Sequence, residues 1–472
     1  MDSKLSLNLS NLSSVLKVNN IDINKLRENE TKNNFYKALP NYAPLLLTIA
    51  CNFNKEYPEE ISLNAAIQLK NYINLYWKNV PNKNNTNNDI VINEEDKSNI
   101  RLKILDAVIY VIEIENIKIL KQFNQCVKKI LKYDFKEKKI QYNKDFIDKV
   151  IICLNSKNLK QIYAGIILFH QLSKIFEFDS EDNQKIYEEE LIKVNNFLLL
   201  SLYNCKDIND SVQAQFAYKM IKIFFMAFQG SIPEIFTQEK IFDQWINFII
   251  NVIKNPISEN NINDNKKNIF FKLKRVCYQT ITRIIQRFSK YTSNNIKSPF
   301  DILINNKYIS IFFELYKTIF INCFNNKLFL DDYGKMSIYI FFSILMENEN
   351  FSKKVLEIFI NDKNNQLLNY IINDCIILYE DLELRSNDPK KYLAEKVGEL
   401  NSFLTKRYNS SKFFSSFFLY KETKKGAPQY CKSLIEFLCK CLIDENNKLN
   451  IEKQNILNSK KPCYLLYNEI PL

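Results

Sequence analysis

Apolar side chains recur with the period of an α-helix through most of the chain, and this recurrence limits the fold more than any other feature of the sequence. Ala217, Met220, Ile221, Phe224 and Phe228 fall at i, i+3, i+4, i+7 and i+11, which is one face of one helix. Ile100, Ile104, Leu105, Val108, Ile109 and Ile112 form a second stripe, and Ala66, Leu69, Ile73 and Trp77 a third. Polar stretches separate the stripes: Pro81 to Asn93 and Pro256 to Asn268 read as loops. Start and stop signals fall in the gaps. Gly230 closes one helix while Ser231 and Pro233 open the next. Asp388 before Pro389 is an N-cap and first-turn pair. Glu94, Glu95 and Asp96 suit the positive end of a helix dipole.

These breaks predict helices near 41–53, 59–78, 95–113, 116–133, 143–155, 158–177, 184–204, 208–228, 233–254 and 269–290. Others follow near 300–324, 333–347, 351–360, 364–380, 389–404 and 427–444. Taken in twos, the pairs begin roughly 40–65 residues apart, and the shorter intervals match HEAT and armadillo repeats. The expected fold is all-α: an α-α superhelix, or α-solenoid, of HEAT/armadillo-like helix pairs.

Scarce residues remove most enzyme classes. The 472 residues include five glycines, Gly165, Gly230, Gly334, Gly398 and Gly426, the nearest two 28 positions apart. Phosphate-cradling loops, dinucleotide fingerprints and nucleophile elbows need closely spaced glycines, so none is present. His170 is the one histidine. It rules out two-histidine zinc motifs and lies beside the core face of an amphipathic helix, which reads as a boundary or satisfied core residue. Cys439 and Cys441 stand two apart on an expected helix and face away from each other, so they do not form a metal site. No catalytic residue, cofactor site or metal site emerges.

The 11 cysteines are scattered without framework spacing, as expected for reduced thiols in a cytosolic or nuclear protein. The amino terminus lacks signal-peptide character. No apolar run approaches the ~18 residues a membrane helix needs, so membrane insertion is not expected. The net charge is +12, of which +7 falls between Lys390 and Leu472. Lysine is enriched throughout rather than blocked, with no RNA-recognition signature, which reads against nucleic acid as a partner.

Particular residues carry a resemblance. The segment Leu63 to Trp77, LNAAIQLKNYINLYW, resembles the amino-terminal domain of the importin-β superfamily of nuclear transport receptors. It has the small-residue stripe Ala65 and Ala66, then Leu69, Lys70 and Asn71, then Ile73 and Trp77. EEDKSNIRLKILDAV, Glu94 to Val108, looks like the acidic entry to that domain's next helix. LRENE (Leu26 to Glu30) and NYAPLLLTIA (Asn41 to Ala50) fit the preceding helices. Leu154 to Phe178 resembles a fourth repeat, and Lys222 to Pro256 the turn after it, with Trp245 at its tryptophan. EDLELRSNDPKKYL, Glu380 to Leu393, is similar to the acidic run ahead of D-P-x-x-Y. The pattern is nearest the importin seven/eight group, followed by the exporter that recycles importin-α.

The resemblance divides the chain into residues 1–133, an importin-β amino-terminal-like, Ran-binding region, 134–445, further HEAT-like repeats, and 446–472, an unmatched tail. A receptor of this kind is about twice as long as the matched part, which leaves a fragment, a truncated gene model or a shortened paralogue open. The family tends to be acidic, suiting basic cargo, whereas this chain is basic; Arg385 stands where the family carries tryptophan.

The resemblance implies partners. They are the GTP form of the Ran GTPase, bound by inner helices of the first repeats, protein cargo, and the phenylalanine-glycine repeats of nucleoporins. Location would alternate between cytoplasm and nucleus. Lys70, Asn71, Glu94, Glu95 and Asp96 form the candidate Ran-contact region, with helix packing, capping and first-turn electrostatics as the competing readings. Ala66, Leu69, Ile73, Trp77 and Trp245 read as core. Glu380, Asp381 and Glu383 form a candidate acidic segment for a basic partner, or a solvated face. Phe413, Phe414, Phe417 and Phe418 read as repeat packing. A HEAT-repeat scaffold without a GTPase partner remains open. So does a basic RNA-associated protein, which would need a contiguous lysine stripe on one face.

Overall fold

The computed structural model describes residues 7–17, 23–52, 56–78, 91–135, 140–256, 269–288, 298–325, 327–360 and 366–375, with short pieces at 386–388, 409–410, 412–413 and 416. Two compact units divide at Phe248 and Ile249. The ordered elements among the described residues are all helices.

The first unit opens with α1 (Leu9–Leu16) and α2 (Ile23–Tyr36). Pairs follow: α3 (Tyr42–Cys51) with α4 (Glu59–Tyr76), α5 (Glu94–Glu113) with α6 (Ile117–Asp134), α7 (Ile140–Leu154) with α8 (Leu159–Phe176), and α9 (Glu181–Asn204) with α10 (Ser211–Ala227). Short α11 (Glu234–Thr237) leads into α12 (Glu239–Lys254). Asn8, Asn93, Asn116, Asn158 and Asp210 each cap a helix by accepting a backbone N–H in its first turn. The asparagine richness of the chain is therefore partly a supply of helix starts.

Two layers arise from this order. α3, α5, α7 and α9 pack in succession, and so do α4, α6, α8 and α10. Helices within each pair, such as α3 and α4 or α7 and α8, pack against each other across the layers. Small side chains permit the close approach: Ala65 and Ala66 are fully buried on α4, and Ser62 Oγ donates to Ile49 O of α3 at 3.1 Å. On α8 the small residue is Gly165, where a Cβ would stand 3.0 Å from Cys153 Cβ and Leu154 Cγ of α7.

The second unit contains α13 (Ile269–Phe288), α14 (Pro299–Leu303), α15 (Ile309–Phe324), α16 (Asp332–Met346), α17 (Glu349–Ile360) and α18 (Gln366–Cys375). A capping box between Ser298 and Asp301, with Pro299 in the first turn, starts α14. α13 packs on α16, and α16 on α17. Arg275 of α13 pairs with Asp331, the N-cap of α16, at 2.7 Å, and its guanidinium lies 4.4 Å from the Tyr333 ring centre. Phe413 is fully buried against Tyr339, Phe342 and Phe359, consistent with its reading as packing.

Four expectations need correction. Gly230 is not a left-handed helix cap: α10 already ends at Ala227, and no described glycine has positive φ. Its lack of a side chain serves proximity instead, because a Cβ there would meet Gln184 Nε2 at 3.0 Å. The helix expected over 233–254 is broken at Gln238. The one expected over 300–324 is interrupted by a π-helical turn, Ile304–Tyr308, where the Asn305 side chain donates to both Asp301 O and Phe288 O at 2.7 Å. His170 is a core residue, 2% exposed, yet neither ring nitrogen has a hydrogen-bond partner. The expected helices at 389–404 and 427–444, Glu380, Asp381, Glu383, Phe414, Phe417, Phe418, Cys439, Cys441 and the segment 446–472 lie outside the described residues.

Candidate functional site

The segment that carried the resemblance folds as α3, α4 and the start of α5. Tyr42 Oη donates to Asn33 Oδ1 at 2.7 Å and Tyr72 Oη to Lys37 O at 2.8 Å, and the two tyrosine rings meet edge to face at 4.9 Å. These contacts fix the polar helix α2 and the turn after it onto α3 and α4. Ala66, Leu69 and Ile73 are fully buried along one stripe of α4, as the period required.

Trp77 caps the carboxyl end of that stripe and is 2% exposed. Its Nε1 donates to Asp134 Oδ2 at 3.2 Å. Arg101 of α5 approaches the same carboxylate with a fork, Nε to Oδ2 at 2.7 Å and Nη2 to Oδ1 at 3.2 Å. The guanidinium also lies 5.2 Å from the Trp77 ring centre, a cation–π distance. The ends of α4 and α6 and the body of α5 thus meet at one charged group. Arg101 and Asp134 were not anticipated; each is an ordinary charge in the sequence, and only the packing of α5 on α6 brings them together.

The candidate contact residues divide. Lys70 is half-buried and Asn71 exposed on α4, in the even-numbered layer; the Lys70 charge reaches Cys126 of α6. Glu94 and Glu95 are exposed at the start of α5, in the odd-numbered layer. Glu94 accepts from Lys97 Nζ at 3.0 Å and Arg101 Nη1 at 3.5 Å, so it joins the Trp77 network at its solvent edge. Asp96 is 4% exposed and turns inward. Its two oxygens accept the Asn41 N–H at 2.9 and 3.1 Å, holding Asn41 at φ 63 ahead of α3. Burial pushes the Asp96 carboxyl above its ordinary range, against the pull of the Asn41 amide.

Trp245 is fully buried in α12. It stacks on Phe224 at 4.9 Å with planes 6° apart, meets Phe236 edge-on at 6.0 Å, and donates Nε1 to Asn195 Oδ1 at 3.3 Å. Both family tryptophans are therefore packing residues whose N–H groups are satisfied. No group of metal-ligating side chains occurs among the described residues, and no described helix is long and apolar enough to cross a membrane.

This geometry can be set beside known proteins. The importin-β N-terminal domain matches residues 32–109, the span from the end of α2 into α5. Importin-8 of Danio rerio is 31% identical over 161 residues, covering 33% of this chain and 14% of that protein. A probable importin-7 homolog of Dictyostelium discoideum is 24% identical over 285 residues, 59% of this chain and 25% of that one. The chain thus matches a quarter or less of the length of these curated relatives. Among solved structures, Lph2 of S. cerevisiae, described as a bidirectional nuclear transport receptor, superposes with a TM-score of 0.58 at 16% identity, over 91% of this chain and 42% of that one. A chain of the Kap95:Nup1 complex superposes with a TM-score of 0.50 at 10% identity, over 89% and 42%. At these identities the structures speak for the fold, an all-α array of HEAT-like helix pairs. Domain match and relatives agree in kind: residues 32–109 carry an importin-β N-terminal domain, and the chain is similar to proteins of the importin-7 and importin-8 kind over part of their length. Receptors rather than enzymes make up that family.

Proposed function

We propose that this chain acts as a nuclear transport receptor that binds Ran in its GTP form through the first helix pairs and carries protein cargo through nuclear pores. The observation that supports it most is the importin-β amino-terminal domain over residues 32–109, seated at the head of an array of helix pairs. On this reading Lys70, Asn71 and the exposed Glu94 and Glu95 touch the GTPase, while Asp96 acts through the position of α3. Phenylalanine-glycine repeats of nucleoporins are a further partner, in keeping with the Kap95:Nup1 relative. The protein would shuttle between cytoplasm and nucleus. Glu380, Asp381 and Glu383 would meet a basic partner.

Such a receptor needs no bond chemistry. It needs the GTPase and the cargo to change each other's affinity, and a coupling of about 1–3 kcal/mol alters binding 5–150-fold. The sign of that coupling separates an importer, which Ran-GTP empties, from an exporter of the kind that recycles importin-α, which Ran-GTP fills. Co-precipitation of the full chain with Ran loaded with GTP or GDP tests the reading. A scaffold without a GTPase partner would retain a protein client and capture neither form.

A further inference from the structure

Glu94 is held by cations that lie beneath it. Its side chain is 65% exposed, whereas Lys97, at 3.0 Å, is 5% exposed and Arg101, at 3.5 Å, is 12% exposed. Lys97 and Arg101 stand three and seven positions after Glu94, which is one face of α5. By contrast, Glu59 and Glu115 pair with Lys118 and Lys160, which are exposed themselves. Exposed pairs of that kind hold neither side chain firmly, because ordering two long chains in water offsets most of their attraction.

Arg101 lacks that freedom. Its Nε and Nη2 fork the Asp134 carboxylate at 2.7 and 3.2 Å, and Trp77 sets a ring 5.2 Å from the guanidinium and an N–H on the same acid. The fork fixes the plane of the guanidinium, and the arm left over, Nη1, is the one that reaches Glu94 Oε2. The backbone of the turn is held from its other side. Asn93 Oδ1 accepts the Asp96 N–H at 2.7 Å, and Asp96 in turn grips the Asn41 N–H. Each Glu94 oxygen therefore accepts one bond from the protein and keeps capacity for a second.

We infer that Arg101 is a positioning residue for the GTPase contact: with Lys97, it holds the Glu94 carboxylate ready to receive a basic side chain, lysine or arginine, of the partner. The inference rests on the Ran reading above. Its physical basis is pre-organisation. A glutamate that is free on a surface must be ordered when it binds, and the lost rotamer freedom lowers affinity about two- to tenfold. Here the fold has ordered it beforehand. The cations beneath also offset the repulsion between Glu94 and its exposed neighbour Glu95, while the side chains turned most fully to water remain the two acids. Trp77, a core residue by burial, gains a second task, because its ring and its N–H help set the guanidinium in place.

The test is a double-mutant cycle on the affinity of the full chain for Ran loaded with GTP, measured by calorimetry. Glu94→Gln should weaken binding about tenfold, the scale of a hydrogen bond to a charged group. Arg101→Lys keeps a cation beside Asp134 but cannot fork it and reach Glu94 at once, and should weaken binding about fivefold. In the Glu94→Gln background the same change should leave binding within about 1.5-fold. Lys97→Met removes the other hold and leaves the fork on Asp134 in place. It should weaken binding about threefold, again only where Glu94 is present, and covers the case in which Arg101→Lys fails to fold. Equal losses with and without Glu94 would make Arg101 and Lys97 packing residues alone. Tighter binding by Arg101→Lys would mean that Arg101 competes with the partner, and unchanged binding by Glu94→Gln would remove the contact. Each of these overturns the inference while the Ran reading stands. A wild type that does not prefer Ran-GTP defeats that reading, and this inference with it, before any variant is compared.

Discussion

The indole N–H of Trp77 and the carboxylate of Asp134 meet at 3.2 Å, although 57 positions separate them in the chain. The carboxylate also receives both arms of Arg101, so one buried acid joins the ends of α4 and α6 to the middle of α5. Breaking a buried pair by removing one partner costs about 3–5 kcal/mol, because the other charge is left without compensation. Asp134→Ala should therefore destabilise the first unit by about 3 kcal/mol. Trp77→Phe, which deletes one neutral donor and keeps a ring under Arg101, should cost about 1 kcal/mol. Urea unfolding followed by circular dichroism measures both, and equal costs would mean that the carboxylate is not the centre of the network.

Asp96 and Glu95 are neighbours with different fates. Asp96 holds the Asn41 amide and is buried; Glu95 is exposed. Asp96→Ala should cost about 2 kcal/mol, the scale of hydrogen bonds to a charged group. Glu95→Ala should change stability by less than about 0.5 kcal/mol. If Glu95 instead meets a partner, its substitution weakens that binding while the melting curve stays in place.

Gly165 is predicted to resist the smallest enlargement. A methyl group there would stand 3.0 Å from Cys153 Cβ and Leu154 Cγ, inside ordinary contact distance. Alanine favours a helix over glycine by about 1 kcal/mol. Overpacking costs about 1–3 kcal/mol, so Gly165→Ala should be destabilising by about 1 kcal/mol net. A stabilised variant would show that α7 and α8 can part more easily than their packing implies.

His170 links the fold to pH. It is buried and neutral; burial first, and then the charges of Lys219, Lys174, Lys222 and Lys128, hold its folded pKa below the unfolded value. The unfolded chain therefore takes up a proton first as pH falls, and stability is lost below the unfolded pKa of about 6.5. His170 is the chain's one histidine. Between pH 7 and pH 5 the wild type should lose stability relative to His170→Leu, with a limiting slope of about 1.4 kcal/mol per pH unit. Parallel curves for the two proteins would place a proton or a partner on the imidazole.

How much of this was open to reading in the sequence follows from the range of each interaction. The stripes of α4, α5 and α10 are local, set by side chains within four residues of each other, and the observed helices start and end within a few residues of those expected. Trp77 was identifiable as core for the same reason, whereas Trp245 was singled out only through the resemblance; both are buried. α1 was not expected, and α2 carries little apolar stripe of its own, so it takes its place through Tyr36, Asn33 and the tyrosines of its neighbours. Asp134 and Arg101 escaped notice because a charge reads as solvated until tertiary packing closes over it. Gly230 misled because a glycine between two helices signals a cap, whereas here the Gln184 side chain occupies the space.

The central claim is tested most directly by titrating the full chain with Ran loaded with GTP and, separately, with GDP, reading affinity by calorimetry. The account predicts binding of the GTP form at least about tenfold tighter than the GDP form, a difference of about 1.4 kcal/mol, weakened by Lys70→Glu with Asn71→Ala. Equal affinity for the two forms, or binding to neither, would contradict it.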